Sequence, residues 1–525
     1  MFRWLSNLKQ SGKVAIYGVL AALLVLPLMA SSTPSANWIF AGQGINNWHF
    51  QPAETTLATS NVSTLAPKFQ VPNTPGGDVS ATPSVYDGSI YFPDWAGHLY
   101  SVDANTGNVQ WMVNLSSYTG VPAEISRSTP TVQGGSLIVG TLQGAWLLSI
   151  NRKNGSLQWK TQLDSHPAAQ LTQSPVVYNN MIYIGVSSIE EALAGNSGYP
   201  CCTFRGSFEE VNINTGAILW KTYTAPDNGG QPGGYSGNAV WGSTPSIDPA
   251  RKLVYIGTGN NYTVPASVAA DPSTVSPQDY TDALMALNMS NGKIEWADSL
   301  MGSQHWGGLD TWTVACFASQ SGTNNCPDPQ GPDYDFGQGP MIINTTINGS
   351  PRELVVDGQK SGYFWAVDAG TGALVWKTLT GAGSALGGME WGSATDGVRI
   401  YYANGASGVW GALDPATGNT LWQTHDPNSY DLLGVKDIAA ISVANGVVFA
   451  GSLGGGSPYA ATANTMYALN AATGQMLWSF VSGGSIASAP AIANGIVYWG
   501  VGYTHFNIGE AAGATKLYAF SLNGQ

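Results

Sequence analysis

The feature that most constrains this fold is a ten-residue segment that recurs seven times along the 525-residue chain. Each copy has an apolar residue, a polar turn that carries Asn-Gly or Thr-Gly, and a short stretch that ends in tryptophan. Glycine at such a turn permits the positive φ that a tight hairpin needs. This self-similarity predicts a repeat architecture in which each unit is one supersecondary structure. The seven copies are VDANTGNVQW ending at Trp111, INRKNGSLQW at Trp159, VNINTGAILW at Trp220, LNMSNGKIEW at Trp296, VDAGTGALVW at Trp376, LDPATGNTLW at Trp422 and LNAATGQMLW at Trp478.

The sequence before each copy reads as strand, turn, strand, so that a full unit has four strands. Such units are typical of β-propeller blades. An eighth unit begins at SIASAPAIANGIVYWG, but the chain ends at LYAFSLNGQ before any tryptophan strand. The segment NVSTLAPKFQV supplies an orphan strand, with Phe69 at the tryptophan position. We therefore predict an all-β, eight-bladed β-propeller over residues 37–525, closed by residues 62–71 and 515–524 in one blade, with the repeated tryptophans packed between blades.

The first 30 residues read as an export signal. A basic start from Arg3 to Lys13 precedes an apolar run from Val14 to Ala30. This pattern predicts a signal peptide cleaved after Ala30 or Ala36, with an uncleaved membrane anchor as the alternative. We expect the protein in the periplasm or outside the cell. The formal net charge of −13 argues against a nucleic-acid partner, which requires a basic face.

The four cysteines are Cys201, Cys202, Cys316 and Cys326. An exported protein meets an oxidising compartment, so the even number predicts two disulfides. Either the adjacent pair is bonded through a strained ring, or one of its members pairs with Cys316 or Cys326. The sequence contains no Cys-x-x-Cys-His, so no c-type haem is attached to this chain.

With these repeats, the chain resembles the pyrroloquinoline quinone (PQQ)-dependent alcohol dehydrogenases, especially the polyvinyl-alcohol-dehydrogenase-like branch. The resemblance extends over nearly everything after the export signal. It implies PQQ- and calcium-dependent oxidation of an alcohol, such as a secondary alcohol or a polymer, with electrons passed to a separate acceptor such as a cytochrome c. Outer-membrane assembly scaffolds carry the same repeats without a cofactor, so a non-catalytic binding propeller or scaffold is the alternative function.

The resemblance also implies a cofactor shell. Arg127 in ISRSTP resembles the residue that meets a PQQ carboxylate, and Thr172 in LTQSP resembles a hydroxyl contact. Trp241 in VWGSTPSIDP would stack on the cofactor ring, and Lys360 in DGQKSGYFWAVD would lie beside the ortho-quinone. These types suit a flat ring with three carboxylates, because a guanidinium binds carboxylates and an aromatic plate stacks on a ring.

The motif YPCCTFRG carries the second part of the resemblance. In the family, a disulfide between adjacent cysteines covers the face of PQQ opposite the tryptophan. The resemblance therefore implies that Cys201 and Cys202 bond to each other and face Trp241, with Arg205 beside them. The remaining cysteines, Cys316 and Cys326, would staple the neighbouring long loop.

A calcium site follows from the same resemblance. Glu190 in IYIGVSSIEE and Asn260 in YIGTGN match the family's calcium-binding glutamate and asparagine. Asp310 in GGLDTWTVAC is predicted to be the catalytic base and the third metal ligand. Calcium prefers such oxygen ligands and acts as a Lewis acid on the quinone, while Lys360 adds a second positive charge during reduction.

Overall fold

The computed structural model describes residues 36–72, 77–300, 309–428, 436–455, 459–503 and 516–525. The predicted export signal, residues 1–30, lies outside the described residues. Within the described ranges, no helix is both long enough and apolar enough to cross a membrane.

Eight antiparallel sheets dominate this part of the chain, and each of them corresponds to one predicted blade. Blade 1 consists of β2 (Ser84–Tyr86), β3 (Ser89–Pro93), β4 (His98–Asp103) and β5 (Val109–Asn114), and blade 2 consists of β6 (Thr131–Gln133), β7 (Ser136–Gly140), β8 (Trp146–Asn151) and β9 (Leu157–Gln162). Blade 3 consists of β11 (Val176–Tyr178), β12 (Met181–Ser188), β13 (Ser207–Asn212) and β14 (Ile218–Tyr223), with the added β10 (Ala169–Gln170). Blade 4 consists of β16 (Ser246–Asp248), β17 (Leu253–Gly257), β19 (Ala283–Asn288) and β20 (Ile294–Ser299). Blade 5 consists of β21 (Met341–Ile347), β22 (Ser350–Gly358), β23 (Tyr363–Asp368) and β24 (Leu374–Leu379), and blade 6 consists of β25 (Ala394–Thr395), β26 (Ile400–Asn404), β27 (Val409–Leu413) and β28 (Thr420–His425). Blade 7 consists of β29 (Ser442–Ala444), β30 (Val447–Gly451), β31 (Met466–Asn470) and β32 (Met476–Phe480). Blade 8 consists of β33 (Ala491–Ala493), β34 (Ile496–Val501) and β35 (Lys516–Leu522), together with β1 (Leu65–Pro72).

Short helical elements lie in the connections. They are α1 (Ser116–Thr119), α2 (Glu190–Leu193) and α3 (Ala266–Ala270), with 3-10 turns at Val62–Thr64, Pro272–Thr274, Val314–Phe317 and Tyr459–Ala461. A small two-stranded sheet joins β15 (Ser236–Gly237) to β18 (Asn261–Thr263). The second strands β3 and β17 are buried along their whole length, whereas the outermost strand β5 alternates between exposed and half-buried residues.

The ring closes as predicted. Strand β1 pairs antiparallel with β35, so that Leu65 lies opposite Leu522 and Pro72 lies opposite Lys516. First strands of neighbouring blades also contact each other, and β2 contacts both β6 and β33. The eight-bladed all-β propeller, with strands β1 and β35 in one blade, is therefore confirmed.

The repeated tryptophans join each blade to the next. The indole N–H of Trp111 donates to the carbonyl of Arg152 at 3.0 Å, and the ring packs on the α-carbon of Gly155, where a Cβ would lie 3.0 Å from it. Gly155 also has a φ of +74°, which an L side chain rarely adopts. The same indole bond recurs at the other six tryptophans, to Ile213, Met289, Ala369, Pro415, Ala471 and Leu65, and a turn glycine lies against the ring in all of them except Trp478.

The segment before the propeller follows the inner strands around the ring. Trp38 pairs with Val85 of blade 1, and Ile39 accepts from the N–H of Val132 of blade 2. The segment then reaches blades 4 to 8 in ring order through Ile45, Asn46, Trp48, His49 and Gln51. One short stretch therefore ties together seven of the eight blades.

Candidate active site

Each blade brings a short loop, just before its innermost strand, to a hollow on the ring axis. Residues from all eight blades line this hollow, although they are spread over most of the chain. In blade order they are Ser80, Arg127, Thr172, Trp241, Gly337, Trp391, Ala440 and Ala487. Arg127, Thr172 and Trp241, three of the predicted cofactor residues, are therefore brought together.

A larger cavity, of about 190 Å³, shares part of this lining. Its lining combines apolar side chains with charged ones. The apolar residues include Leu142, Ile189, Ala192, Trp312, Val314, Phe317, Leu386 and Ile438, and the charged ones are Arg127, Glu191, Asp333, Asp335, Lys360 and Glu390. We call this space the axial cavity.

Lys360 lies between two carboxylates of the axial cavity. Its Nζ is 2.7 Å from Asp335 Oδ2 and 3.1 Å from Asp333 Oδ1. Burial alone would lower the pKa of Lys360, but the two carboxylates hold that pKa well above its ordinary value. Burial raises the pKa of Asp333 well above its ordinary value, against the attraction of Lys360.

Glu191 and Glu390 add two further buried acids. Burial, with the like charge of Asp335, raises the pKa of Glu191 to about 8 and that of Glu390 to about 7. Glu191 Oε1 is buried without a hydrogen-bond partner. The carboxyl groups of the cavity thus outnumber its two cationic side chains, Arg127 and Lys360. Such an excess in a water-poor space favours the binding of protons or a metal cation.

Arg127 retains an unused N–H group. Its Nη1 donates to Tyr503 Oη at 3.4 Å, and its guanidinium carbon lies 4.5 Å from the centre of the Trp391 ring. Its Nε is buried without a partner. Burial lowers the pKa of Arg127, although Tyr503 and Glu390 act in the opposite direction. A carboxylate ligand would satisfy this buried cation.

Asn260 lies three residues beyond β17, the second strand of blade 4, and is not among the described residues that line the axial cavity. Its N–H donates to Asp335 Oδ1 at 2.6 Å, and its Nδ2 donates to the carbonyl of Trp312 at 2.9 Å. Its Oδ1 is buried and has no partner. The preceding residue must be small, because a Cβ at Gly259 would lie 2.3 Å from Asp335 Oδ1 and 2.8 Å from Trp241.

Glu190 has a different environment from the one predicted. Its Oε2 accepts the N–H of Phe204 at 2.8 Å, and both its oxygens lie 3.0 Å from the N–H of Thr203. Tyr199 Oη also donates to it. The carboxylate is thus used to hold the loop that follows the vicinal cysteines. Its neighbour Glu191 lines the axial cavity, so the structure gives the cavity-facing position to Glu191.

Asp310 also lies outside the cavity lining. Its two oxygens accept the backbone N–H groups of Asp333 at 2.9 Å and Tyr334 at 2.7 Å. Burial raises the pKa of Asp310 to about 6, and the side chain of Asp282 is its neighbour. Asp310 therefore positions the segment that carries Asp333 and Asp335 into the cavity.

The three predicted calcium ligands differ in whether their oxygens already have hydrogen-bond partners. Of Glu190, Asn260 and Asp310, only Asn260 keeps a buried oxygen without a partner. Across the part of the chain that the structure describes, no three His, Cys, Asp or Glu side chains are arranged to hold a metal ion. The identity of the calcium-binding residues stays a prediction. Because Glu191 lines the cavity and Glu190 does not, we replace Glu190 by Glu191 in that prediction.

Both disulfides are formed, and the vicinal pairing is the one present. Cys201 is bonded to Cys202, and Cys316 is bonded to Cys326. Neither Cys201 nor Cys202 is among the described residues lining the axial cavity, although both, like Trp241, pack in or against one hydrophobic cluster. That this disulfide covers a cofactor face stays a prediction.

Arg205 points to the outer loops. It lies 4.0 Å above the Tyr223 ring and 3.1 Å from an oxygen of the exposed Asp227. The second disulfide supports the cavity instead, because Asn325, next to Cys326, donates to the carbonyls of Ala194 and Tyr199.

Sequence reasoning overlooked several cavity residues. Glu390 and Trp391 lie in EWGS, which matches VWGS around Trp241, so the repeat itself could have revealed them. Asp333 and Asp335 lie in DYDFGQGP, just before the innermost strand of blade 5, where a pair of acids is unusual in a chain that is only 10% charged. Glu191 could not be separated from Glu190 by the motif alone.

The cavity residues, together with the nearby Asn260, have the chemistry that the implied cofactor and metal require. Arg127 offers an unpartnered buried N–H to a carboxylate, and Trp241 offers an aromatic surface to a flat ring. Glu191 Oε1 and Asn260 Oδ1 are buried oxygens without partners, and the excess of carboxyl groups calls for a cation. Oxygen ligands of this kind are those that calcium prefers.

Comparison with protein families agrees with this description. The PQQ family described as "Glucose/ethanol/alcohol dehydrogenase, beta-propeller domain" matches residues 38–307. The family described as "Outer membrane protein assembly factor BamB" matches residues 205–463 and 406–514, which contain the shared tryptophan repeats.

Individual relatives extend over more of the chain. A polyvinylalcohol dehydrogenase of a Pseudomonas species is 30% identical over 95% of this chain and 79% of its own length. The polyvinylalcohol dehydrogenase of Sphingopyxis sp. (strain 113P3) is 30% identical over 87% of this chain and 72% of its own length.

A solved structure shares the fold. The quinohemoprotein alcohol dehydrogenase ADHIIG of Pseudomonas putida HK5 superposes with a TM-score of 0.72 at 18% identity, over 93% of this chain and 81% of that one. The chain therefore belongs to the family of PQQ-dependent, or quinoprotein, alcohol dehydrogenases.

Proposed function

We propose that this protein oxidises an alcohol to a carbonyl compound, with PQQ and calcium bound in the axial cavity and electrons passed to a separate acceptor. The observation that carries the proposal is the meeting of Trp241, Arg127 and Lys360 with an excess of buried carboxyl groups in one cavity. Trp241 suits a flat ring, the two cationic side chains suit its carboxylates, and the buried carboxyl groups suit a divalent cation.

Each residue has a part in the proposed site. Glu191 and Asn260 would hold calcium through their unpartnered oxygens, with Asp335 beside them because it binds the N–H of Asn260. Arg127 and Thr172 would bind the carboxylates of the cofactor, and Trp241 its ring. Calcium would then polarise a carbonyl as a Lewis acid.

The oxidation removes one proton and one hydride from the alcohol. PQQ, when bound, supplies the hydride acceptor. We assign the removal of the hydroxyl proton to Asp333, because it lines the cavity and because burial raises its pKa, which makes its ionised form a stronger base. Asp310 holds the backbone of Asp333, and the Lys360 ammonium stabilises negative charge beside it.

The apolar residues of the cavity would receive the carbon skeleton of the alcohol. The rings of Trp312 and Phe317 pack edge to face with their centres 4.9 Å apart, and Phe317 is 59% exposed. An exposed aromatic lip suits a hydrocarbon chain that extends beyond the cavity. A secondary alcohol carried on a polymer agrees with this shape and with the names of the two relatives.

Electrons would leave to a separate protein such as a cytochrome c, because the sequence has no haem-attachment motif. The basic and apolar first 30 residues support an exported protein in the periplasm or outside the cell. Calcium and oxidising conditions in these compartments suit the site and its disulfides.

A cofactor-binding experiment tests the proposal. The purified protein is incubated with PQQ and calcium, passed through a desalting column and examined for quinone absorbance. We expect one PQQ per chain, which an added secondary alcohol reduces, and weaker retention in Arg127→Gln. A protein that retains no PQQ would instead match the non-catalytic scaffold that the BamB match allows.

A further inference from the structure

A second buried carboxyl cluster lies outside the lining of the axial cavity, in blade 7 and the segment leading into it. Asp426 directly follows β28, and Asp437 lies before β29. Ser452 directly follows β30, and Asn464 lies before β31. The loops at one end of blade 7 therefore gather these residues.

The carboxylate of Asp437 is buried without a hydrogen-bond donor, although the charge of the adjacent Lys436 acts to lower its pKa. Asp437 is fully buried, and neither of its carboxylate oxygens receives a hydrogen bond from the described residues. Its side chain lies within hydrogen-bonding reach of Asp426, but two ionised carboxylates cannot bond, since both only accept. The adjacent base, Lys436, packs its side chain against Gly408. A proton or a cation must therefore lie between the two acids.

Asn428 shows how many oxygens converge at this place. Its Nδ2 lies 2.8 Å from Asp426 Oδ1, 3.0 Å from Ser452 Oγ, 3.2 Å from the Asn464 carbonyl and 3.3 Å from Tyr467 Oη. An amide nitrogen has only two hydrogens to donate, so four acceptors exceed its capacity. Two of these four groups also donate to the other two, since Ser452 Oγ donates to Asp426 Oδ2 at 2.6 Å and Tyr467 Oη donates to the Asn464 carbonyl at 2.7 Å.

We propose that this cluster binds a divalent cation of the calcium type, and we name it the Asp437 site (Asp426, Asn428, Asp437, Ser452 and Asn464). Calcium takes about six to eight oxygen ligands at about 2.3–2.6 Å. The site offers two carboxylates, a hydroxyl, a backbone carbonyl and, once the Asn428 amide turns over, a side-chain carbonyl. It offers no sulfur or imidazole, which softer metals prefer.

A shared proton is the competing arrangement. Burial, with the adjacent Asp426, raises the pKa of Asp437 well above its ordinary value, which either a proton or a cation would relieve. A proton satisfies only one pair of oxygens, whereas the converging oxygens around Asn428 include three groups besides the two acids. A cation can contact several of these oxygens at once, whereas a proton cannot.

Occupancy of the Asp437 site would stiffen one wall of the axial cavity. Ile438, the next residue after Asp437, lines that cavity. Lys436 O accepts the N–H of Leu453 at 2.8 Å, which ties the same segment to blade 7. This inference does not depend on the proposed alcohol oxidation.

Calcium stoichiometry tests the proposal. The full chain, freed of divalent ions by a chelator and without PQQ, is titrated with calcium in equilibrium dialysis. We expect Asp437→Asn to bind one calcium ion fewer per chain than the wild type, and Ser452→Ala to bind that ion at least tenfold more weakly. Asp227→Asn, the same change at an exposed carboxylate, serves as the matched control and should bind as the wild type does.

Glu191→Gln distinguishes the Asp437 site from the cofactor site, because this variant should still bind the calcium ion that Asp437→Asn loses. If Asp437→Asn and the wild type bind the same number of calcium ions per chain, the proposal is overturned. The shared proton is then the arrangement that accounts for the two acids. Should Asp437→Asn not fold, Ser452→Ala decides, because unchanged affinity in that variant would also overturn it.

Discussion

The carboxylate of Glu190 accepts the backbone N–H of Phe204 at 2.8 Å, two residues beyond the vicinal disulfide. Its neighbour Glu191 instead lines the axial cavity with an unpartnered oxygen. Two adjacent and chemically identical residues thus have separate tasks. One holds a loop, and the other is available to a metal ion.

This difference gives opposite expectations for two isosteric variants. Glu190→Gln should lower the free energy of unfolding by about 1–3 kcal/mol, because backbone N–H groups lose a charged acceptor. Glu191→Gln should raise the thermal midpoint of the calcium-free protein, because it removes a buried acid, and should weaken calcium binding at the cofactor site at least tenfold. Calorimetry and calcium titration measure both. Similar behaviour of the two variants would contradict the assignment.

Asp333→Asn should abolish the proposed removal of the alcohol proton. General-base catalysis contributes about 10²–10⁴-fold, so we expect a loss of that size in the single-turnover reduction of bound PQQ. PQQ absorbance before addition of alcohol checks that the cofactor is still held. Asp227→Asn is the control. A rate close to that of the wild type in Asp333→Asn would move the base to another carboxylate.

The stability of the calcium-free protein should fall as the pH rises from about 4.5 to about 8. The pKa of Glu191 is raised from 4.5 to about 8 and that of Glu390 from 4.5 to about 7, chiefly by burial. The folded protein therefore holds more protons than the unfolded chain in this range, and raising the pH removes the corresponding stability. Thermal melts in chelator at several pH values measure the slope.

Calcium should flatten this slope, because a bound cation replaces the protons that neutralise the carboxyl groups. Glu191→Gln should flatten it without calcium. Stability that rises across the same interval in chelator would contradict the expected excess of buried acid.

The ring closure can be tested at Phe69 and Gly107. A Cβ at Gly107 would lie 2.5 Å from the Phe69 ring, so Gly107→Ala should be strongly destabilising. Gly88→Ala is a matched control, because Gly88 has a φ of +74° against +76° at Gly107 but nothing within 4 Å of its Cβ position. The difference in unfolding free energy between the two variants isolates the contact from the backbone strain.

A double-mutant cycle completes this test. In a Phe69→Ala background, Gly107→Ala should cost little more than Gly88→Ala does, because the clashing ring is gone. Denaturant unfolding of the four proteins gives the coupling energy. Additive effects would show that Phe69 and Gly107 do not join the last blade to the first.

The architecture could be predicted from the sequence because its signals are local. A Thr-Gly turn and a tryptophan a few residues later describe one blade, and the turn glycine of the next blade makes room for that tryptophan. The orphan Phe69 strand followed from the same repeat, since an incomplete last blade needs a partner. Arg127, Thr172, Trp241 and Lys360 were predicted from the resemblance to a known family, and all four line the axial cavity.

Only the tertiary structure decided the rest of the site. Whether Glu190 or Glu191 faces the cavity depends on the start of a single-turn helix and on the N–H groups of Thr203 and Phe204. Whether Asp310 or Asp333 reaches the cavity depends on how one segment folds behind the other. The physical reason is that turn and strand preferences act over a few residues, whereas burial and charge at the axis come from residues that eight blades bring together across most of the chain.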